Sequence, residues 1–172
     1  MTTKVLIVDD ASDLRSLVRM ALAHSSLEVD IAEASTGREA VRRALKFQPD
    51  VIVLDLEMPE LSGIEALPAL HAAVPEAALL VFTAYDAPHF KDEAMAHHAT
   101  AFLSKTTPIE ELVLSIRRHA RGSQEDASVP DEDETAINAW RQRMGELSQA
   151  IEVNQHELAA EDAAFRRMGT GA

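Results

Sequence analysis

Short apolar runs alternate with longer amphipathic segments through the first 121 residues. The runs cover residues 5–8, 51–54, 78–82 and 100–104, and a half-polar fifth run covers 29–32. Unbroken apolar runs of this length, rich in β-branched residues, predict strands buried on both faces, as in a parallel sheet. The mixed apolar and charged residues of 29–32 instead predict a strand at the edge of that sheet.

The segments between these runs have the spacing of amphipathic helices. In the first of them, apolar residues recur every three or four positions after Ser12, a good N-cap residue: Leu14, Leu17, Val18, Ala21 and Leu22. We expect five helices. They cover about 12–24, 36–37 to 47, a segment through 67 and 70 that ends at about 74, about 88–98, and a segment from about 108 onward. Five β-α units predict an α/β fold with one parallel sheet, right-handed crossovers and helices on both faces.

Polar side chains stand at the ends of four predicted strands. Asp9 and Asp10 follow the first strand, Asp55 follows the third, Thr83 ends the fourth, and Lys105 follows the fifth. The carboxyl ends of parallel strands share one edge of the sheet, where open α/β folds place their sites. Three carboxylates meeting there repel one another, and a bound Mg²⁺, which prefers hard oxygen ligands, would relieve the repulsion.

Each of these residues also has a simpler explanation. The acidic pair could complement a helix N-terminus, Asp55 could cap the next helix, and a lysine at a strand end is usually solvated. Their joint occurrence at one sheet edge favours a site. By contrast, His89, His97 and His98 lack carboxylates at ligand spacing, and we interpret them as a solvated helix face.

Composition excludes several classes of protein. The 172 residues include no cysteine, so neither a disulfide nor a thiolate metal site is possible. No apolar stretch approaches the roughly 20 residues of a membrane span, and no signal-peptide pattern is present, so we expect a cytoplasmic protein without membrane insertion. Residues 1–121 hold 12 Lys and Arg against 18 Asp and Glu, and residues 122–172 hold 4 against 11. Direct nucleic-acid binding is therefore not expected.

The last third of the chain has a different pattern. After a polar linker over 122–130, ten positions spaced alternately by three and four residues across 131–168 hold eight apolar residues, with Asn154 and Glu161 at the other two. This predicts a helix of about 55 Å, at ~1.5 Å per residue, with a heptad seam for a coiled coil or bundle. The seam has to pack against a copy of itself, a partner helix or the rest of the chain. Flanking charges favour antiparallel over parallel self-pairing, and we expect either an antiparallel pair or a bundle with helices of another protein. The apolar residues of the seam are Ile137, Trp140, Met144, Leu147, Ile151, Leu158, Phe165 and Met168.

Four pieces of this sequence, in this order and spacing, closely resemble the receiver domain of bacterial two-component response regulators. They are residues 5–10, 55–59 with Gly63, 83–84 and 104–105. The resemblance covers residues 1–121 and implies a flavodoxin-like fold with five helices and the strand order 2-1-3-4-5. The predicted C-terminal helix stands in place of a DNA-binding domain.

The resemblance implies a role for each acidic residue of the site. Asp55 would be the phosphoacceptor that takes a phosphoryl group from a sensor histidine kinase or a phosphotransfer protein. Asp10, supported by Asp9, would hold Mg²⁺ together with Asp55 and the main-chain carbonyl of Glu57. Charge neutralisation and in-line positioning are what phosphoryl transfer mainly requires.

The resemblance also implies the roles of three further residues. Lys105 would pair with a phosphoryl oxygen, and the Thr83 hydroxyl would hydrogen-bond another once the switch closes. Thr83 and the rotating ring of Phe102 would form that switch. An ordinary core phenylalanine is the alternative interpretation of Phe102. The sequence departs from the family where Thr106 follows the lysine in place of the usual proline, although we expect the loop to position Lys105 nonetheless.

These patterns predict a response regulator that catalyses only its own phosphotransfer and autodephosphorylation, with output through protein–protein contacts of the helical tail. Two alternatives stay open: a constitutive receiver-like scaffold that is never phosphorylated, and the N-terminal part of a longer regulator. An aspartyl-phosphate phosphatase is disfavoured, because its nucleophile usually follows the first strand, where this chain has Asp9 and Asp10.

Overall fold

The computed structural model describes residues 2–58, 62–84 and 88–120. The predicted linker over 122–130 and the predicted heptad helix over 131–168 lie outside these ranges. Strands and helices alternate as β1 (Thr3–Val8), α1 (Ser12–His24), β2 (Val29–Ala34), α2 (Gly37–Phe47), β3 (Val51–Leu54), α3 (Gly63–Ala73), β4 (Ala78–Thr83), α4 (Pro88–Ala96), β5 (Ala101–Ser104) and α5 (Ile109–His119).

The five strands form one parallel sheet in the order β2-β1-β3-β4-β5, which confirms the predicted fold. β2 lies at an edge of the sheet, as its mixed composition predicted. The register places Leu54 opposite Val8 and Ser104 opposite Thr83. Leu54 also lies opposite Val81, so β4 and β5 extend two residues beyond the ends of β1 and β3. Because all five strands run parallel, the residues that follow them are brought to the same edge.

Burial of both faces of the central strands holds this edge in place. All four residues of β3 are buried, and Leu6, Ile52 and Leu54 join α2 and α3 residues such as Leu67 in one apolar cluster. The apolar sides of α1 and α5 are buried as well, with Leu22, Leu112 and Ile116 fully inaccessible to solvent. At about 1.5–3 kcal/mol for each fully buried aliphatic side chain, the strands that carry the site form a rigid base.

The starts of the first two helices differ in how they are capped. Thr36 caps α2, which begins at Gly37 as predicted, and the Thr36 hydroxyl accepts a hydrogen bond from the main-chain N–H of Glu39 at 3.2 Å. The prediction of Ser12 as an N-cap is wrong: Ser12 is the first residue of α1, and the cap position is Ala11, which has no side-chain acceptor. The Asp9 carboxylate accepts from the Ala11 N–H at 2.9 Å instead.

One other boundary differs from the prediction. α4 ends at Ala96 rather than near residue 98, because His98 adopts a left-handed φ of 71° and Ala99 donates back to the Ala94 carbonyl. The exposed ring of His98 stacks on His71 of α3 with a centroid separation of 4.0 Å.

In the described part of the chain, no helix has the length and apolar character needed to cross a membrane.

Candidate functional site

Two buried carboxylates are anchored directly to the ends of the central strands. The main-chain N–H of Asp9 donates to the Ala34 carbonyl at 3.1 Å, and the N–H of Asp55 donates to the Val8 carbonyl at 2.9 Å. These bonds extend the sheet ladder by one residue beyond each strand. Asp9 and Asp55 are only 3% and 2% exposed, whereas the neighbouring Asp10 is exposed.

The carboxylates of Asp9, Asp10 and Asp55 form a compact cluster. One oxygen from each lies within 4.8 Å of the other two. Among the described residues, this is the only group of three or more His, Asp or Glu side chains that converges in this way. The cluster combines two buried acids with one that faces solvent, so it is accessible from one side.

Lys105 bridges the two buried carboxylates. Its Nζ lies 2.8 Å from Oδ2 of Asp9 and 2.8 Å from Oδ2 of Asp55. One lysine charge against three carboxylates leaves two negative charges uncompensated within the cluster. A divalent cation would balance that remainder.

A hydrogen-bonded turn positions Lys105 without the proline that the sequence lacks. The main-chain N–H of Lys105 donates to the Thr83 carbonyl at 2.8 Å, which ties the turn to β4. The Ser104 and Thr106 hydroxyls are 2.8 Å apart, and Thr107 N–H donates to the Ser104 carbonyl at 2.9 Å. These contacts close the turn immediately after β5 and place the lysine side chain over the acidic cluster.

Burial and mutual charge shift the pKa values of two of these groups. Burial raises the pKa of Asp9, and the nearby Asp55 charge adds to this rise, against the opposing hydrogen bond and charge of Lys105. For Lys105, burial alone would lower the pKa, but the hydrogen bonds and charges of Asp55 and Asp9 outweigh it and raise the pKa. Lys105 therefore remains a cation at neutral pH.

The second oxygen of Asp55 identifies where a metal or phosphoryl group could bind. Oδ1 of Asp55 is buried and accepts no hydrogen bond from any described residue. Buried carboxylate oxygens normally have a donor or a metal partner. The fit to Mg²⁺ is good, since the donors are all oxygens, carry excess negative charge and include an exposed member in Asp10.

Thr83 and Phe102 lie on the two neighbouring strands beyond Asp55. Thr83 is completely buried at the end of β4, and its carbonyl holds Lys105. Phe102, opposite Val81 in the sheet, is partly buried and packs against the apolar cluster. Both occupy the positions that a switch would need, and their switching roles remain predictions.

A groove beside the acidic cluster contains Glu57. Its lining residues are Asp10, Leu56, Glu57, Met58, Ser62, Ile64 and Phe90. The lining combines the two acids Asp10 and Glu57 with apolar side chains such as Ile64 and Phe90. The metal-binding role of the Glu57 carbonyl remains a prediction.

The sequence analysis did not predict the contacts that two residues near the site, Arg15 and Gly63, make with its main chain. Arg15 donates to the main-chain carbonyls of Asp9 and Asp10 at 2.6 and 3.2 Å. Gly63, which the sequence identified only as a motif residue, approaches the main chain so closely that a Cβ there would overlap the Asp55 carbonyl oxygen. A signal was available for Arg15, since a cation at the start of a helix opposes the macrodipole and needs an acceptor.

Comparison with known proteins matches the described domain to one family. The family model "Response regulator receiver domain" matches residues 5–117. The chain is similar to the chemotaxis protein CheY of Listeria monocytogenes, at 32% identity over 69% of this chain and 98% of the relative. It is also similar to the transcriptional regulatory protein YdfI of Bacillus subtilis, at 33% identity over 70% of this chain but only 56% of that longer relative.

Solved structures give the same result. The chemotaxis protein CheY4 of Vibrio cholerae superposes with a TM-score of 0.62 at 33% identity, covering 69% of this chain and 99% of that one. The response regulator domain of Thermotoga maritima CheB superposes with a TM-score of 0.63 at 26% identity, covering 69% and 96%. All of these similarities reach about as far along the chain as the alternating strands and helices do.

Proposed function

The chain belongs to the response regulator receiver domain family, and from this premise we propose that Asp55 accepts a phosphoryl group in a magnesium-dependent reaction. Receiver domains of response regulators are phosphorylated on an aspartate. Of the three clustered acids, Asp55 is the one with a buried oxygen, Oδ1, that no described residue engages. That single atom supports the assignment best, because a nucleophile has to keep a lone pair available for the incoming phosphorus.

The residues around Asp55 fit an electrostatic role in phosphoryl transfer. Asp10 and Asp55, with Asp9 in support and the Glu57 carbonyl as a further ligand, would hold the metal. Bound there, Mg²⁺ would supply positive charge to the acidic cluster and to the oxygens of the transferred group. Phosphoryl transfer depends on such positioning and neutralisation more than on proton transfer.

Lys105 and Thr83 would act on the phosphorylated state. The Lys105 ammonium already contacts Oδ2 of Asp55 at 2.8 Å, so a phosphoryl group on Oδ1 would have a cation beside it without a large movement of the chain. The Thr83 hydroxyl, at the end of the neighbouring strand, would donate to another phosphoryl oxygen. Phe102 would then report the change by repacking.

The phosphoryl donor is a phosphohistidine on a sensor histidine kinase or a phosphotransfer protein. Receiver domains interact with proteins of these two kinds. Asp10 is exposed beside the buried acids, which leaves one side of the cluster open to such a donor.

Intact-mass spectrometry of the full chain tests this function. Incubation with acetyl phosphate and MgCl₂ should add one phosphoryl group, and EDTA or Asp55→Asn should prevent the addition. Asp13→Asn is a matched control, because Asp13 is an exposed acid of the same β1–α1 region whose only described side-chain contact is with Ser12 at 3.4 Å. Addition of the group to Asp55→Asn, or no addition to the wild type, would contradict the proposal.

We further propose that output runs through protein–protein contacts of residues 131–168. The sequence supports this through its heptad pattern, and Ile137, Trp140, Met144, Leu147, Ile151 and Leu158 would supply the contact. Light scattering of the full chain, with and without beryllofluoride and MgCl₂, measures the effect. A mass that changes with beryllofluoride in the wild type but not in Asp55→Asn supports a switched regulator, and an unchanged oligomer in both supports a constitutive scaffold.

A further inference from the structure

Arg15 lies beneath the turn that connects β1 to α1. One of its nitrogens, Nη1, donates to the Asp9 carbonyl at 2.6 Å and to the Asp10 carbonyl at 3.2 Å. Its Nε donates to Oε2 of Glu33 on β2 at 3.0 Å. The side chain is only 16% exposed, so these contacts fix the guanidinium in one place.

The charge of Arg15 is not used to neutralise the acidic cluster. The Glu33 carboxylate carries the compensating charge, and the contacts to Asp9 and Asp10 go to main-chain oxygens. A cation near the N-terminus of α1 opposes the helix macrodipole. The position of Arg15 is therefore explained by the groups that its side chain binds, and not by a gain in the stability of α1.

The direction of the Asp10 carboxylate depends on this turn. No described residue donates a hydrogen bond to that exposed carboxylate, so its placement follows from the main chain that carries it. Side chains supply three hydrogen bonds to the main chain of this turn: the two from Arg15 and the one from Ala11 N–H to Oδ1 of Asp9 at 2.9 Å. Without the Arg15 side chain, the Asp9–Ala11 bond and the bond from the Asp9 N–H to the Ala34 carbonyl would remain, and neither of them involves Asp10.

We propose that Arg15 is a positioning residue for magnesium binding, which it promotes by clamping the carbonyls of Asp9 and Asp10 so that the Asp10 carboxylate faces Asp55. This inference rests on the proposed function, since it assumes that the cluster binds Mg²⁺. Groups that orient metal ligands typically change affinity by about 10- to 100-fold when removed. Because Arg15 acts through the main chain, we expect the lower end of that range.

The chain offers a matched control in Arg19. Arg19 lies one helical turn after Arg15 and approaches the same Glu33, at 3.7 Å, but it is 55% exposed and has no described contact with Asp9 or Asp10. Removing Arg19 therefore tests loss of charge and of a Glu33 pair without loss of the carbonyl clamp. Arg15→Met removes the clamp at similar side-chain length, and Arg15→Lys keeps the charge but cannot bridge both carbonyls and Glu33.

Titration calorimetry with MgCl₂ on the full chain measures the effect, with thermal unfolding recorded separately in EDTA. Arg15→Met should raise the Mg²⁺ Kd about tenfold, Arg15→Lys should raise it less, and Arg19→Met should leave it unchanged. At saturating MgCl₂ the rate of phosphorylation by acetyl phosphate should return close to the wild-type rate in Arg15→Met. That recovery separates a metal-positioning role from general damage to the fold.

Two results would overturn the inference. The first is a Kd for Arg15→Met equal to that of the wild type, even if its unfolding temperature falls, since Arg15 would then be structural only. The second is an equal increase of Kd in Arg19→Met, which would assign the effect to charge. If Arg15→Met does not fold, the Kd of Arg15→Lys decides in the same way. Failure of the wild type itself to bind Mg²⁺ would instead remove the proposed function, and this inference with it.

Discussion

The Lys105 ammonium stands 2.8 Å from Oδ2 of Asp55 while Oδ1 of the same carboxylate accepts no hydrogen bond from the described residues. The two oxygens of one side chain are therefore in different environments, one neutralised and one available. A single lysine also serves Asp9 at 2.8 Å. The two buried carboxylates are held together by a cation that belongs to the chain itself.

Replacing that lysine should destabilise the metal-free protein. In Lys105→Met, two buried carboxylates lose their shared cation. We expect the free energy of unfolding in EDTA to fall by about 2 kcal/mol. This is less than the roughly 3–5 kcal/mol expected for breaking a fully buried pair, because Lys105 is partly exposed. Urea unfolding in EDTA and in MgCl₂ measures this. Part of the loss should be recovered in MgCl₂, since the metal supplies charge to the same acids. An equal loss under both conditions would show that packing, not charge, is responsible.

Neutralising Asp9 should have the opposite effect on the metal-free protein. Burial raises the pKa of Asp9 in the folded state above its ordinary value of 3.8, so its ionised form opposes folding at neutral pH. The corresponding contribution to stability is present below pH 3.8 and is lost as the pH rises through the folded-state pKa. We therefore expect Asp9→Asn to raise the free energy of unfolding in EDTA at neutral pH, by on the order of 1 kcal/mol.

Urea unfolding of Asp9→Asn and wild type over a series of pH values checks this sign. The difference between the two proteins should be largest at neutral pH and should vanish in acid, where Asp9 is protonated. In MgCl₂ the order should reverse, because the variant has lost one carboxylate of the metal site. A variant that is less stable than the wild type at neutral pH in EDTA would contradict the prediction.

The fold was predictable because its signals are local and repeated. The run at 51–54 is apolar at every position and is buried at every position, and the residue after it had to lie at the sheet edge. The order of the strands is different, since it followed from the family resemblance and not from the pattern. The convergence of Asp9, Asp55 and Lys105 then needed only that order and the edge at which the parallel strands end.

Contacts between side chains and main chain were not predictable in the same way. Ser12 is an ordinary N-cap residue, but the Asp9 carboxylate accepts from the Ala11 N–H, and the helix begins one residue earlier than an N-cap at Ser12 would require. The Arg15–Glu33 pair joins residues 18 positions apart. This ion pair forms because β2 pairs in parallel with β1, with Glu33 opposite Ile7. The periodicity of the sequence does not predict which strands pair or in which register.

Adding a methyl group at Gly63 should disturb the site directly. A Cβ there would overlap the main-chain oxygen of Asp55 and lie within 2.8 Å of Leu56 Cα, and both obstacles are backbone. We expect Gly63→Ala to lower the free energy of unfolding by about 2–3 kcal/mol and to weaken phosphorylation of Asp55. Ser62→Ala is the control, because it removes the α3 cap next to Gly63 and should cost only about 1 kcal/mol without affecting phosphorylation. Equal losses in the two variants would contradict the steric explanation.

The contribution of Glu39 to the free energy of unfolding should depend on pH with a sign opposite to that of Asp9. Hydrogen bonds from the Ser35 main-chain N–H and from Arg43 lower the pKa of Glu39 below its ordinary 4.5. Its contribution to stability is therefore present above pH 4.5 and is lost as the pH falls through the folded-state pKa. Glu39→Gln should lower the unfolding free energy at neutral pH by about 0.5 kcal/mol, given partial solvent screening. Urea unfolding at several pH values should show the gap closing in acid, and a gap that persists there would be contrary to this account.

The hydroxyl of Thr83 should couple phosphorylation to the rest of the domain without being needed for the chemistry. Thr83 is fully buried at the end of β4 and its carbonyl holds Lys105, so substitutions should leave Asp55 accessible to a phosphoryl donor. Thr83→Val removes the hydroxyl and keeps a β-branched side chain, whereas Thr83→Ser keeps the hydroxyl and loses a methyl group. We expect both variants to be phosphorylated, as measured by intact mass.

The two variants should differ in how β5 responds. Backbone amide NMR spectra of the full chain, before and after addition of beryllofluoride and MgCl₂, report on the strand that carries Phe102. The wild type and Thr83→Ser should show shifted amide signals along β5, because a hydroxyl can donate to the group bound at Asp55. Thr83→Val should bind beryllofluoride with little change in those signals. Shifts of wild-type size in Thr83→Val would mean that the signal reaches Phe102 by a route that does not involve this hydroxyl.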